Sequence, residues 1–441
     1  MSNQSILRIT RELSEIQRGP DLSLAVACRD IDVRNVRALI IGPPDTPYEF
    51  GFFEFAVKFT KDYPTKAPAV NAITTNLGRT RFNPNIYAAG RVCLSILGTW
   101  RGERGEEWSS AQGLESILIS IQSLMSQNPY ENEPGFEDAK TDYDKKNQEA
   151  YVAKIRHETL RISIIDRLED YLGINREKTP GVVSVYDAEE DYQSSGTDAP
   201  FEPFKDLCMR RFLWYYDSYL LAIETESQKH KDGDRFEKMP FEGPGNTMDG
   251  SFQYTSLKSR LQGIYEKLNQ EMESWALEGQ IAVQKEISIA SNLQRQFEQI
   301  VEYYKSNDGV ALDLKLVDKN PFVWQLVLFG RPMTNLDGGM FRIRIHLSPK
   351  FPDVLPRIKF ETPIFHHRVS KDGILCYDPT RKDDLKSHIE AIIEAVEEES
   401  PAYDPRTLVN PEAAKLFWGT PEEKKLYNRK LRRSVQESTE F

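Results

Sequence analysis

The stretch Arg81-Phe82-Asn83-Pro84-Asn85-Ile86-Tyr87-Ala88-Ala89-Gly90-Arg91-Val92-Cys93-Leu94-Ser95-Ile96-Leu97 decides how the rest of the chain is read. It sets one cysteine, Cys93, between a turn (Asn85 to Gly90) and an apolar run, with the side-chain amide of Asn85 a short way before the thiol. A thiolate attacks carbonyls well, and an amide N–H can steady a developing oxyanion, so the two residues are a candidate nucleophilic site. The same string also fits a small buried hydrophobe, because free cysteine is among the most buried residue types.

Outward from this stretch the periodicity predicts an α+β fold. Ser5 to Arg18 reads as a helix with Ile6, Ile9, Leu13 and Ile16 on one stripe and Arg8, Arg11 and Arg18 off it. Those arginines are either a solvated face or a docking surface for an acidic partner. Gly19-Pro20 ends the helix. Val36 to Ile41 reads as a strand. Phe53, Phe55, Val57 and Phe59 alternate with Glu54, Ala56 and Lys58, the period of a half-buried strand. After Cys93, Ser109-x-x-Gln112 has the spacing of a capping box. It opens a helix with Leu114, Ile117, Leu118, Ile121, Leu124 and Met125 as its buried stripe, stopped by Asn128-Pro129. Helix, antiparallel meander, irregular section and helix do not alternate as a parallel α/β fold would.

Beyond this first domain, Tyr143 to Leu172 reads as helix with Tyr151, Ile155, Ile162, Ile165 and Leu168 inward. Lys178 to Pro203 reads as an acidic, mobile linker. Phe212 to Ile223 is an aromatic helix whose Phe212, Tyr215, Tyr216 and Tyr219 read as core. Lys231 to Gly250 reads as a polar loop, and Tyr254 to Ile289 as mostly helix.

The 441 residues suffice for several domains with real cores. A net charge of −11 argues against a nucleic-acid partner. The absence of a long apolar run predicts no membrane span, and the N-terminus has no secretory pattern. Four dispersed cysteines, Cys28, Cys93, Cys208 and Cys376, without a Cys-x-x-Cys, exclude a structural zinc knuckle and a disulfide framework. They fit a reducing compartment, so a cytoplasmic or nuclear location is expected.

The last third repeats the first. Gly42, Pro44, Thr46, Gly51, Phe53, Pro64 and Pro68 return at one fixed offset as Gly330, Pro332, Thr334, Gly339, Phe341, Pro352 and Pro356. A slightly shorter loop then sets Arg368 against Asn85 and Cys376 against Cys93. Phe341, Ile343, Ile345 and Leu347 repeat the strand alternation. A helix with Leu293, Phe297, Ile300 and Tyr304 on one side precedes it. The division expected is a first domain over 1–140, a helical extension over 141–290 and a second copy over 291–441.

Asn83-Pro84-Asn85, then Gly90-Arg91-Val92-Cys93-Leu94, then Trp108-Ser109-Ser110-Ala111, with Tyr63-Pro64 and Pro68 upstream, resemble the ubiquitin-conjugating enzyme family. That family carries His-Pro-Asn, Gly-Arg-[Ile/Val]-Cys-Leu and Trp-Ser-Pro-Ala. Cys93 to Trp100, Asn128-Pro129-Tyr130 with Asn132 to Phe136, and Ile155 to Thr159 are most similar to its large Z-type members. The resemblance runs from Ser5 to about Leu268; together with the repeat it implies two UBC-like domains, each a four-stranded antiparallel meander with helices. It implies a thioester exchange: Cys93 takes ubiquitin or a ubiquitin-like modifier from an activating enzyme and yields it to a substrate lysine, usually with a ubiquitin ligase. Asn85 would order the loop and stabilise the oxyanion, and Glu131, near an acidic gate position, would position or deprotonate the lysine. The helix Ser5 to Arg18 would dock the activating enzyme and ligases. No cofactor is implied; ATP enters only through the activating enzyme.

The chain departs from the family pattern at Asn83 for histidine, Ser110 for proline and Thr65 for an apolar ligase contact, and Arg101 to Glu107 lengthens the loop after Cys93. Asn83 is expected to cost little; the other two leave ligase choice open. A cysteine hydrolase needs an imidazole base. None lies near Cys93 in sequence, and His157 is the next one along. In the second copy Phe365-His366-His367-Arg368 stands in place of the motif before Cys376. That copy is a degenerate binding domain, a second thioester site at Cys376 or a structural domain. His366, His367 and Cys376 lack a fourth ligand for zinc. The rival to the enzyme reading is a non-catalytic scaffold binding ubiquitin or a ligase through both copies.

Overall fold

The computed structural model describes residues 2–102, 105–138, 140–174, 201–243, 248–285, 287–306 and 311–440. Most of the expected linker at Lys178 to Pro203 lies outside them. The chain forms two compact units, Met1–Cys208 with Ile223–Leu261, and Met209–Ala222 with Gln262–Phe441.

In the first unit, helix α1 (Ser2–Arg18) is followed by the strands β1 (Leu24–Arg29), β2 (Asp32–Ile41), β3 (Phe52–Lys58) and β4 (Ala69–Ala72). They pair antiparallel in the order β1-β2-β3-β4, the expected meander. Val36 faces Val57, Ala38 faces Phe55 and Ile40 faces Phe53 across β2 and β3, and all six are buried. This face takes Ile9, Leu13 and Ile16 of α1 and Leu114, Ile117, Leu118 and Ile121 of α2 (Leu114–Leu124) into one core. Ile6 is 37% exposed and leaves the expected stripe. Ser5 is buried in its stead, where its hydroxyl accepts from Arg34 Nη1 at 3.2 Å.

Ser109 and Gln112 form a turn ahead of α2 and are not its cap. The N-cap residue is Gly113, and the first-turn amide of Leu114 donates to Glu12 of α1 at 2.9 Å. Glu12 also accepts from Tyr63 Oη and from Arg8 Nε, both within 2.7 Å. A carboxylate suits a helix N-terminus, so α1 and α2 are tied by charge as well as by packing. Arg8 is thereby engaged inside the unit, and Arg11 pairs with Glu15 on the exposed side.

The half-buried alternation expected for β3 fails at Glu54, which is 1% exposed. Glu54 meets the later part of one helical run, which passes from α3 (Asp142–Glu158) through a π-helical stretch (Thr159–Asp166) into α4 (Arg167–Leu172). Gly51 sits so close beneath it that a Cβ would lie 2.6 Å from Ser163 Oγ and 2.7 Å from Thr159 Cγ2. Arg167 Nη1 meets Glu54 Oε2 at 2.7 Å and Nη2 donates to Thr74 Oγ1 at 2.8 Å, with Arg37 Nη1 3.8 Å from the other Glu54 oxygen. Breaking a buried pair leaves an uncompensated charge and costs about 3–5 kcal/mol, whereas apolar replacement of both partners is often neutral. Arg167→Met is expected to lose stability on that scale in urea unfolding, and Arg167→Met with Glu54→Leu to regain most of it. A loss below about 1 kcal/mol, the range of exposed pairs, would contradict this account.

The segment expected to be a polar loop at Lys231 to Gly250 has no helix or strand among its described residues, but it buries Met239 and Met248 in the first core. Helix α5 (Lys205–Ser227) buries Phe212, Tyr215, Tyr216 and Tyr219. The expected helix Tyr254 to Ile289 is two helices, α6 (Tyr254–Gln284) and α7 (Ser288–Ser306). No helix of the described residues is long and apolar enough to cross a membrane.

The second unit repeats the first sheet with its bounds shifted by 288: β5 (Leu312–Val317), β6 (Asn320–Phe329), β7 (Met340–His346) and β8 (Arg357–Phe360), in the same order. Leu293 and Ile300 of α7 are buried against this sheet, with Phe297 packed edge-on to Trp324 at 5.2 Å. Here β7 does alternate, burying Phe341, Ile343 and Ile345 and leaving Arg342, Arg344 and His346 partly exposed. The unit is completed by α8 (Leu385–Glu397), α9 (Pro411–Phe417) and α10 (Pro421–Glu437).

Candidate active site

Asn83 is the anchor of the loop that carries Cys93. It is fully buried, and its Nδ2 donates to Tyr48 Oη at 3.0 Å and to the Leu124 carbonyl at the end of α2 at 2.8 Å. Its Oδ1 accepts from the Asn85 backbone at 2.9 Å and from Asn132 Nδ2 at 3.4 Å. An amide that both donates twice and accepts twice has its hydrogen-bonding capacity filled. Three separate elements therefore meet at the residue that starts the turn. Arg81 grips the same turn, donating to the Pro84 carbonyl and to Glu133 Oε2, the latter at 3.0 Å.

The turn closes through Gly90. Its φ of +90° suits glycine, and a Cβ there would stand 2.8 Å from the Ala72 carbonyl. Ala72 N donates to Gly90 O at 2.7 Å, which pins the turn to β4. The chain then returns past Asn85. Cys93 N donates to Asn85 O at 2.8 Å, and Asn85 Nδ2 donates to Cys93 O at 3.2 Å. Behind the cysteine, Thr99 Oγ1 donates to Val92 O at 2.7 Å and accepts from Leu94 N at 3.0 Å. Cys93 is buried, at 5% exposed.

Of the residues singled out from sequence, Asn85 and Cys93 are in direct contact. Glu131 is exposed on a short 3-10 helix (Pro129–Asn132), and its carboxylate makes no hydrogen bond or ion pair among the described residues. Its neighbours Asn132 and Glu133 both bind the loop. Thr65 and Ser110 are exposed. His157 is not free to serve as a base for Cys93: its Nδ1 lies 3.0 Å from Glu158 and its Nε2 accepts from Gln253 N at 3.0 Å. Sequence reasoning missed Arg81, Asn132, Glu133, Tyr48 and Thr99. A signal existed for all but Tyr48: Arg81 opens the stretch that decides the reading, Thr99 lies in Cys93 to Trp100, and Asn132 and Glu133 lie in the Asn132 to Phe136 motif.

The second copy has the same backbone and different chemistry. Cys376 N donates to Arg368 O at 2.9 Å, Arg368 N donates to His366 Nδ1 at 3.1 Å, and Gly373 repeats the left-handed turn at φ +87°. Cys376 is 1% exposed, and burial pushes its thiol up to about 12. Arg211 and Tyr215 of α5 lie close enough to feel its charge. The α5 helix is held there by Lys371 N donating to Asp217 at 3.1 Å and by Tyr215 Oη donating to Arg406 O at 2.8 Å. Arg368 is drawn off to Glu398 at 3.2 Å. The neutral His388 donates from Nε2 to Lys382 O and accepts at Nδ1 from Tyr377 Oη, both at 2.9 Å, so it is not a base for Cys376.

Burial, with the Arg368 charge, pushes His366 down to about 3, and burial, His366 and Arg368 push His367 down to about 2. Burial pushes His388 down to about 4. All three stay neutral in the fold while the unfolded chain protonates near 6.5. Their contribution is complete above pH 6.5 and is lost progressively as pH falls below it, down to about 4 for His388 and lower still for His366 and His367. The urea midpoint of the transition carrying the second unit is expected to drop between pH 7.5 and 5.5; a flat midpoint would show that these histidines protonate in place.

A family model described as ubiquitin-conjugating enzyme matches residues 8–159 and 289–435, and so takes in both cysteine loops. The chain belongs to the ubiquitin-conjugating enzyme family. Its relatives include the ubiquitin-conjugating enzyme E2 Z of Xenopus tropicalis, 39% identical over 269 residues, covering 61% of this chain and 74% of that protein. The E2 Z of Homo sapiens is 40% identical over 272 residues, covering 61% of this chain and 66% of that protein. A human dual E2 ubiquitin-conjugating enzyme/E3 ubiquitin-protein ligase is 40% identical over 151 residues, 34% of this chain and 3% of that protein. The similarity to Z-type members, expected from the motifs, and the second UBC-like region, expected from the repeat, are thus found.

Proposed function

We propose that this member of the family accepts ubiquitin or a ubiquitin-like modifier from an activating enzyme as a thioester on Cys93 and transfers it to a substrate lysine, with a ligase holding the target. The observation that carries the reading is the reciprocal clasp between Asn85 and Cys93. In the first step the Cys93 thiolate attacks the carbonyl of the activating enzyme's thioester and that enzyme's thiolate leaves. In the second, a lysine amine attacks, the Cys93 thiolate leaves, and the amine's proton passes to a base. A thiol serves as both nucleophile and leaving group without an imidazole, which agrees with the engagement of His157 elsewhere. Glu131, exposed beside two residues bound to the loop, is the group proposed to meet the incoming amine.

On this reading residues 1–140 are the catalytic domain, 141–290 an extension and 291–441 a non-catalytic second copy that binds rather than carries. The specific observation for the last assignment is the depth of Cys376 beneath α5. The exposed side of α1 around Arg11 is the proposed face for the activating enzyme and ligase. The location proposed is cytoplasmic or nuclear, in keeping with four free cysteines. The test is charging: incubation with activating enzyme, ATP and each candidate modifier, resolved without reductant. A reductant-sensitive adduct supports the reading. Its absence for every modifier leaves the scaffold.

A further inference from the structure

We propose that the segment Met239–Glu242 of the extension is a built-in brace for the Cys93 loop, and that Arg81 is the positioning residue through which it acts. In sequence this segment lies far from the loop and carries no family motif. In the fold it enters the first core beside the site. Met239 is 1% exposed. The Phe241 ring stands 5.4 Å from Tyr130, 5.6 Å from Phe136 and 5.5 Å from Tyr151, centroid to centroid. Glu242 Oε1 accepts from Lys154 Nζ at 2.6 Å, with both side chains under 5% exposed. A buried ion pair gains little net stability over apolar packing, but it fixes position, because either charge left alone is costly. That pair holds the segment against α3.

Arg81 links this brace to the turn. Its guanidinium lies 4.4 Å over the Tyr87 ring, inside the turn, and 6.0 Å from the Phe241 ring. The same guanidinium donates to Pro84 O, next to Asn85, and to Glu133. A planar cation that lies over the Tyr87 ring while one nitrogen, Nη2, donates to both a carbonyl and a carboxylate is a task that the point charge of lysine does not reproduce. Glu242 and Lys154 hold Phe241, Phe241 flanks Arg81, and Arg81 fixes Pro84 and Tyr87 on the two sides of Asn85. The extension therefore completes the geometry around Cys93 while touching neither Cys93 nor Asn85.

The test has two readouts on the full chain. The first, which rests on the proposed function, is single-turnover discharge of the preformed thioester to free lysine. The second is hydrogen exchange of the uncharged protein over residues 83–93, where the Cys93 amide is protected by Asn85 O. Small displacements of a reacting group cost on the order of tenfold to a hundredfold in rate. Arg81→Met and Phe241→Ala are each expected to slow discharge by about tenfold or more and to speed exchange over 83–93. Arg81→Lys is expected to recover only part. The double variant is expected to be no slower than the worse single, as for residues in one network. Val26→Ala, a core truncation on β1, serves as the stability control and is expected to lower Tm without either effect. Wild-type exchange in Arg81→Met and Phe241→Ala, additive effects in the double variant, or an equal effect of Val26→Ala would each overturn the brace. If the wild type never charges, the proposed function fails, and the exchange measurement alone still decides the brace.

Discussion

Cys93→Ala is expected to leave the chain unable to form any reductant-sensitive adduct, while Cys376→Ala charges as the wild type does. The surroundings of the four thiols argue for this. Burial pushes Cys208 and Cys376 up to about 12, well away from the range in which a thiolate is at hand near neutral pH. Cys28 is raised as well, by burial and by Asp30 and Asp32. Cys93 alone of the four is clasped by an asparagine that both orders its backbone and offers an amide N–H. Cys93→Ser is expected to trap the modifier as an ester that survives thiol reductant and yields to alkali. An adduct lost with Cys376→Ala and kept with Cys93→Ala would reverse the roles of the two copies, and would require α5 to leave its place over Cys376.

Much of the fold was legible because it repeats and because its periods are local. The meander followed from β3 and the shared glycines and prolines, and β6 to β8 from their offset. What escaped depends on partners remote in sequence. Glu54 reads as the outward residue of a half-buried strand until Arg167, 113 positions away, arrives beneath the helical run. The first-turn amide of α2 is satisfied by Glu12, 102 positions earlier, and the nearby Ser-x-x-Gln spacing forms only a turn. Strand β1 lacks the large aromatic or β-branched alternation that made β3 visible. At the site, the turn and its cysteine were readable as a motif. Asn83 read as a mere replacement for histidine, because the value of its amide lies in Tyr48, Leu124 and Asn132, which only the fold brings to it. Met239 and Phe241 were hidden in a stretch whose composition is polar and whose partners are ring clusters elsewhere in the first unit.

Asn85→Ala is expected to charge on Cys93 at close to the wild-type rate and to discharge to lysine roughly 10²- to 10³-fold more slowly, the cost of removing one donor from an oxyanion site. The two steps separate because Asn85 serves Cys93 in two ways. Its carbonyl accepts from Cys93 N, and its own N–H donates to Asn83, contacts that alanine retains. Only the side-chain bond from Nδ2 to Cys93 O is lost. On the proposed function, loading, driven by another enzyme's thioester and a thiol nucleophile, is expected to tolerate that loss. Aminolysis starts from a weaker position, since the amine must build negative charge on the acyl oxygen before sulfur departs, and a neutral N–H donor at hand lowers that barrier. Asn85→Asp, similar in shape but without the donor, is expected to be at least as slow. Equal discharge by wild type and Asn85→Ala would remove the side chain from the chemistry. Parallel losses in loading and discharge would reduce it to a support of the turn, on a par with Asn83.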